Sequence, residues 1–455
     1  MRDLSLLRSS TLVRAITFSL ALAAPAVAHA NGRFPDAQQL VVHPNDPNQI
    51  AVQVTYGFIR TRDGGQTWHW TCEQAASYGG VLDPPIALVE SDAMIAGVFD
   101  GLVVTSPDGC DVGLYGGELT DRFTVDVSTI KGDPSRAIAL SSDGIGSNGF
   151  DTRVWKTTDS ALTWTQLGIA LPNDFLAFTL DAAPDDENLL YVSGFRVVAS
   201  NDYVGSLAVS ADGGQTWEVK PIQGSDNDSG PYIAAIDPND SQTLYVRLAS
   251  LAGVLLVTHD AGNTWQPIFT GEGALLGFAL SPDGSEIRVG GDIDGIWKAS
   301  TTDLSFEKIN DMGVRCLTWT PDYLYACARE ALADFTIGRS TDGGVTFEPI
   351  HHLNCLGGPD PACEAGTTIA DVCEAPWGMT KQLIQTETCE DGSGGAGGSG
   401  QGGAGGAATD GGDADGDDGC SCRAGAGTSN AASAIALVAI ALGAGRLLRA
   451  RRRRL

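Results

Sequence analysis

The eight residues Ser210-Ala211-Asp212-Gly213-Gly214-Gln215-Thr216-Trp217 are repeated along the chain, and that repetition restricts the fold more than any other feature. Close copies are TRDGGQTW at 61–68, THDAGNTW at 258–265 and STDGGVTF at 340–347. Weaker ones are TTDSALTW at 157–164 and STTDLSF at 300–306, and the weakest is SPDGCDVGLY at 106–115. The repeated aspartates are Asp63, Asp108, Asp159, Asp212, Asp260, Asp303 and Asp342, spaced 39 to 53 residues apart.

That spacing is the length of a four-stranded blade in a radially repeated β structure. The segments between the aspartates fit one. Before Asp260, PYIAAIDPND reads as a strand and turn, SQTLYVRLA and GVLLVTHD as a second and third strand, and TWQPIF as a fourth. The plan recurs before and after Asp63 (QQLVVHPNDP, NQIAVQV, GFIRTRD, TWHWTC) and Asp303 (GALLGFALSPDG, SEIRVGGD, GIWKASTTD, SFEKIN). These runs are short, rich in Val, Ile, Leu and Tyr, and bounded by Gly, Pro, Asp and Asn, as strands are. The fold expected is all-β: a seven-bladed β-propeller of four-stranded antiparallel blades over 31–353.

Between third and fourth strands the octapeptide must reverse the chain. An aspartate there accepts hydrogen bonds from the backbone N–H groups that follow it. Gly213 and Gly214 supply positive φ, and Trp217 opens the fourth strand and buries a large ring across the hairpin. Trp68, Trp164 and Trp265 hold the same place. A carboxylate used in its own turn is not a general acid or base, so the repeat reads as structural.

These octapeptides resemble the Asp-box, or BNR repeat, of the sialidases, xyloglucanases, sortilin-type receptors and photosystem assembly-factor propellers. The resemblance covers 38–353. It implies that the boxes lie on the rim away from a binding or active face, and it specifies fold better than function. Sialidases carry an Arg-Ile-Pro motif before the first box, whereas this chain has YGFIRTRD, with Arg60 in the third strand. Xyloglucanases of this type take one Asp from each of two propellers, and one propeller is expected here.

The candidate ligand face is therefore built from the loops joining second to third strands and those joining blades. Its candidate residues are Tyr56, Asp100, Arg196, Asp202, Tyr203, Asp292, Asp294, Arg329 and Glu330. Acidic, aromatic and Arg side chains on one rim suit a glycan or protein ligand, and paired carboxylates among them would suit glycoside hydrolysis. No cofactor is expected. The acidic run DADGDDG at 413–419 does not complete a calcium loop, because its Gly comes one place late and Ala424 stands where a Glu is needed.

Ten cysteines in an exported chain read as a disulfide inventory. Cys316 and Cys327 flank the turn Thr320-Pro321-Asp322-Tyr323 symmetrically, so they face each other and should be bridged. Cys72, after the last strand of blade 1, and Cys110, in the turn of blade 2, are expected to join these neighbours. Cys355, Cys363, Cys373 and Cys389 make a Cys-rich appendix over 354–390 whose three possible pairings stay open.

The two ends concern location. Arg2, Arg8 and Arg14, the apolar ITFSLALAAPAVA and the site Ala28-His29-Ala30 read as a signal peptide over 1–30. After a Gly- and Asp-rich flexible linker at 391–419 come Cys420 and Cys422, an apolar transmembrane helix around 431–445 and an arginine cluster. The segment 420–455 resembles the MYXO-CTERM sorting tail, which implies surface attachment with processing or lipidation at Cys420 or Cys422. The formal charge of −28, carried by the part between two basic ends, argues against a nucleic-acid partner. The sequence thus reads as a cell-surface, membrane-tethered binding module for an extracellular glycan or protein. A glycoside hydrolase of sialidase-like architecture and an extracytoplasmic assembly factor are the alternatives.

Overall fold

In the computed structural model, which describes residues 34–79, 82–146 and 149–384, seven four-stranded antiparallel sheets follow one another along the chain. They span 37–71, 86–114, 124–167, 175–221, 230–270, 277–310 and 316–351, and strand order within each follows chain order. The protein is a seven-bladed β-propeller. The middle strands Ile50–Val54 and Met94–Val98 are buried at every position, because both faces of a blade are covered by its neighbours. The cores accordingly lie between sheets: Ile95 and Leu102 of blade 2 pack with Ala139 and Trp155 of blade 3. The first strands line the central channel, and Thr318 of blade 7 donates its hydroxyl to Leu40 O of blade 1 (2.8 Å) where the ring closes.

The octapeptide turns share one hydrogen-bond scheme. In blade 4, Ser210 Oγ donates to Asp212 Oδ1 (2.8 Å), Thr216 N–H to the same oxygen (2.9 Å), and Thr216 Oγ1 to Asp212 Oδ2 (2.6 Å). Gly214 N–H returns to Ser210 Oγ at 2.8 Å. The scheme recurs at Asp63, Asp159, Asp260 and Asp342. Asp108 keeps one of its bonds, from Ser106 Oγ, and otherwise accepts from Cys110 N–H two residues on, as Asp303 does from Ser305 N–H. The tryptophans do more than cross their own hairpin. Trp68 Nε1 donates to Ile350 O of blade 7 (3.0 Å) and Trp217 Nε1 to Ile169 O of blade 3 (3.4 Å), so these two turns dock on the preceding blade.

The donors hold these carboxylates ionised. The Thr216 hydroxyl and N–H, with Ser210, draw Asp212 down to about 2, and Asp260 and Asp342 are also held at about 2. A carboxylate whose pKa is lower folded than unfolded stabilises the fold above its unfolded value, and that contribution disappears as pH falls through the folded value. The melting temperature is therefore expected to fall between pH about 4 and about 2. Replacing Asp212, Asp260 and Asp342 by Asn should lower it at pH 7 and flatten that acid slope; an unchanged slope would remove these turns as its cause.

The cysteines correct one expectation and extend another. Cys316 and Cys327 pair across their strands and are bridged, as the turn symmetry requires. Cys72 and Cys110 are not joined to each other: Cys72 is bridged to Cys373 and Cys110 to Cys363. The segment after blade 7 is thus not stapled only to itself. It runs back over the outer edges of blades 1 and 2, where Gly357 N–H donates to Trp68 O (2.9 Å) and Trp70 N–H to Gly358 O (2.7 Å). Ile369 N–H donates to Cys110 O (3.0 Å), and Trp377 of the helix Glu374–Leu383 lies 5.5 Å from Trp70. Sequence spacing could not show this, because the ring brings residues 253 and 301 positions apart together. Cys355 is also disulfide-bonded.

The signal segment, Cys389, the linker, Cys420, Cys422 and the expected apolar helix lie outside the described residues. Among the described residues, no helix is long and apolar enough to cross a membrane.

Candidate binding face

The hairpins joining second to third strands and the connections between blades form the end of the propeller opposite the octapeptide turns. The channel opens here, and its wall is shaped by irregularities in the inner strands. The register skips Val125 in Thr124–Ile130, Phe178 in Phe175–Ala182 and Ala234 in Gly230–Asp237. A bulged residue is left out of the ladder and re-aimed. The residue after the bulge then reaches the next blade: Asp126 Oδ2 accepts Leu180 N–H (2.7 Å) and Thr179 Oγ1 accepts Ile233 N–H (3.0 Å).

Val125 and Phe178, aimed this way, line a cavity of about 210 Å³ with Phe123, Tyr232, Ser142 and Asp83. Phe178 and Tyr232 stack with centroids 5.2 Å apart and planes 12° apart. Across the cavity Phe123 stacks on Phe99 at 4.7 Å. Asp83 Oδ1 accepts Gln53 Nε2 at 3.1 Å. An aromatic wall with a few polar groups at its edge is the usual build of a small-ligand pocket. On the channel wall, burial pushes Asp126 up to about 7 against the N–H groups of Leu180 and Val127. Burial, and then the neighbouring Asp126, also raise Asp181.

The nine residues expected from sequence lie on five blades, and the ring brings together only some of them. Asp292 Oδ2 accepts Arg315 Nη1 at 2.9 Å and Arg329 Nη2 at 3.0 Å, and Asp36 Oδ2 lies 3.6 Å and 3.7 Å from the same two guanidinium groups. Tyr56 is buried beside them; burial, then Glu330 and Asp36, push its hydroxyl pKa up. Glu330 Oε2 accepts Thr336 Oγ1 (2.6 Å) and Leu353 N–H (2.7 Å). Asp294 is buried, its two oxygens taken by Glu272 N–H and Gly273 N–H. Arg196 is held by Asp174 at 2.8 Å. Asp202 is exposed, Tyr203 lies against Phe195 (5.7 Å), and Asp100 is half-buried at the tip of blade 2.

Sequence reasoning missed Arg315, Asp36 and the aromatic wall. One signal for the wall was present: Phe178, Tyr232 and Phe278 put an aromatic into the inner strand of three successive blades. Which way Phe178 points depends on its bulge, and a bulge changes register without changing composition.

No protein-family model matches the chain. No curated protein matches it. Solved structures do. An ancestral GH74 enzyme shares 17% identity over 65% of this chain and 44% of its own, with a TM-score of 0.49. The GH74 xyloglucanase from Xanthomonas campestris shares 14% over 69% and 64%, with a TM-score of 0.32. YCF48 from Cyanidioschyzon merolae shares 14% over 69% and 84%, with a TM-score of 0.38. The chain spans less than two thirds of the length of the two GH74 enzymes. At these identities no residue role passes from them to this chain.

Proposed function

We propose that the protein is an exported, non-catalytic binding module, whose propeller presents the channel mouth to an extracellular glycan or protein. The aromatic cavity of Phe123, Phe178 and Tyr232 carries this reading, since stacked rings offer apolar area to a sugar face or a side chain, with the exposed carboxylate of Asp83 at the edge. The disulfides accord with it, since such bridges persist in oxidising compartments. The octapeptides are read as Asp-boxes, and the C-terminal segment as a surface-sorting tail that tethers the ring through a flexible linker.

The charged residues support binding over catalysis. Glycoside hydrolysis needs one protonated and one ionised carboxyl facing the same bond. On this face Asp294 is consumed by backbone amides and Glu330 by Thr336 and Leu353. Arg315 and Arg329 converge on Asp292, an arrangement that would favour a hydrolase, but Asp36 and Asp292 already neutralise them.

The test incubates the full chain, disulfides intact, with bacterial and plant polysaccharides and sialosides, reading bound protein and released reducing sugar from the same tubes. Binding without release is expected for a glycan ligand, and Phe178→Ala should weaken binding about tenfold by removing half of the stacked pair. Released sugar would establish the hydrolase instead. Binding that survives Phe178→Ala undiminished would move the ligand away from the cavity.

A further inference from the structure

Around the channel mouth, five successive blades carry one exposed aliphatic residue each, either at the outer end of the second strand or in its connection to the third. They are Ile145 (44% exposed), Val198 (52%), Leu251 (66%), Ile293 (65%) and Leu332 (76%), in blades 3 to 7. Scattered surface hydrophobics need no explanation, but these recur at the same end of five successive blades. Resting on the binding reading above, we propose that this ring of tips docks a cationic protein segment bearing apolar side chains, with the aromatic cavity at its centre.

Apolar and acidic groups alternate on the face. The connection 271–273 passes between two tips: Gly253 N–H, in the Leu251 hairpin, donates to Gly273 O (2.9 Å), and a Cβ at Gly273 would lie 2.7 Å from Ile293 Cγ1. That connection carries exposed Glu272. Exposed Asp202 shares a hairpin with Val198, and exposed Asp334 follows Leu332 by two residues. Tyr203 N–H donates to Asn227 Oδ1 (2.7 Å), which brings exposed Asp228 beside the Val198 hairpin.

The positive charge of this face is already used. Arg122 is bound to Asp143 and Asp151, Arg196 to Asp174, and Arg315 and Arg329 to Asp36 and Asp292. What the face offers outward is apolar tips among carboxylates, and the complement is a basic surface with apolar anchors. A second copy of this chain does not fit, because the chain carries a net charge of −28 and its acidic faces would repel. Aliphatic tips also give a glycan neither stacking planes nor hydrogen bonds.

The probe is a short synthetic peptide of alternating Lys and Leu, labelled and titrated into the full chain, with Lys/Ser and Glu/Leu peptides beside it. Acidity alone would attract any cationic peptide, so the tips are varied directly. Combining Leu251→Ser, Ile293→Ser and Leu332→Ser is expected to weaken Lys/Leu binding about tenfold or more, since three apolar side chains would no longer be removed from water on binding. These positions are exposed, so the substitutions leave the fold intact. The matched variant on the opposite face, Leu162→Ser with Val345→Ser, should bind like the wild type. The Lys/Ser peptide should bind weakly and lose that binding at high salt, and the Glu/Leu peptide should not bind. Equal effects of the two variants, or equal affinity for Lys/Leu and Lys/Ser peptides, would overturn the inference. If a polysaccharide binds through Phe178 while the Lys/Leu peptide ignores the tips, the binding reading stands and only the partner class falls. If neither ligand responds to Phe178 or to the tips, the binding face itself is wrong.

Discussion

Replacing Cys72, Cys373, Cys110 and Cys363 together by alanine is expected to remove about 9 kcal/mol of stability, as much as many whole domains possess. Seven sheets in a ring are held shut at one seam, between blades 7 and 1. The appendix crosses that seam and is bridged to blades 1 and 2, at sequence separations of 301 and 253. In the chain-entropy account a bridge constrains the unfolded chain more as its loop lengthens. The two bridges are not additive, because with one intact the other closes a loop of only about fifty residues. Either pair alone should therefore cost about 4 kcal/mol, whereas losing both reopens a loop of about three hundred residues. The bridge Cys316–Cys327 closes a separation of 11, and its loss should cost about 3 kcal/mol at most. Denaturant midpoints of the four variants, with limited proteolysis of 353–384, measure this. A quadruple variant no weaker than either single-pair variant would mean that the appendix does not hold the ring.

Trp155→Ala should cost about 3–5 kcal/mol. The side chain is 1% exposed between blades 2 and 3, and its Nε1 donates to Ser141 Oγ at 2.9 Å. Truncation leaves a cavity the size of an indole and an unpaired buried hydroxyl, and the two penalties act together. Trp155 also supports the binding face from below, since the Arg122 guanidinium lies 5.5 Å over its ring while pairing with Asp143 and Asp151. Trp155→Phe restores most of the volume without the N–H and should recover more than half of the loss. Urea denaturation separates the three proteins; a Trp155→Ala midpoint within experimental error of the wild type would show that the blades close over the gap.

The architecture was legible because a propeller repeats its instructions. Asp63, Asp159, Asp212, Asp260 and Asp342 each meet a hydroxyl two residues before and a threonine four residues after, so the turn is encoded within eight residues. The Cys316–Cys327 bridge was legible for the same reason, because a tight turn sets the pairing around it. Such features depend on contacts short in sequence, and the local chemistry is sufficient to specify them.

The candidate site depends on contacts that are long in sequence. Asp36 meets Arg315 and Arg329 only because the ring closes, and Phe123, Phe178 and Tyr232 share one cavity because three inner strands converge on the axis. Phe178 faces the channel through a bulge that its own sequence does not announce. The sequence by itself determined the blade, its turn and their number, since each is a local pattern repeated. Only the tertiary structure decided which loop residues meet, which arginines are neutralised and where the cysteines of the appendix attach, because these follow from closing the ring rather than from any one blade.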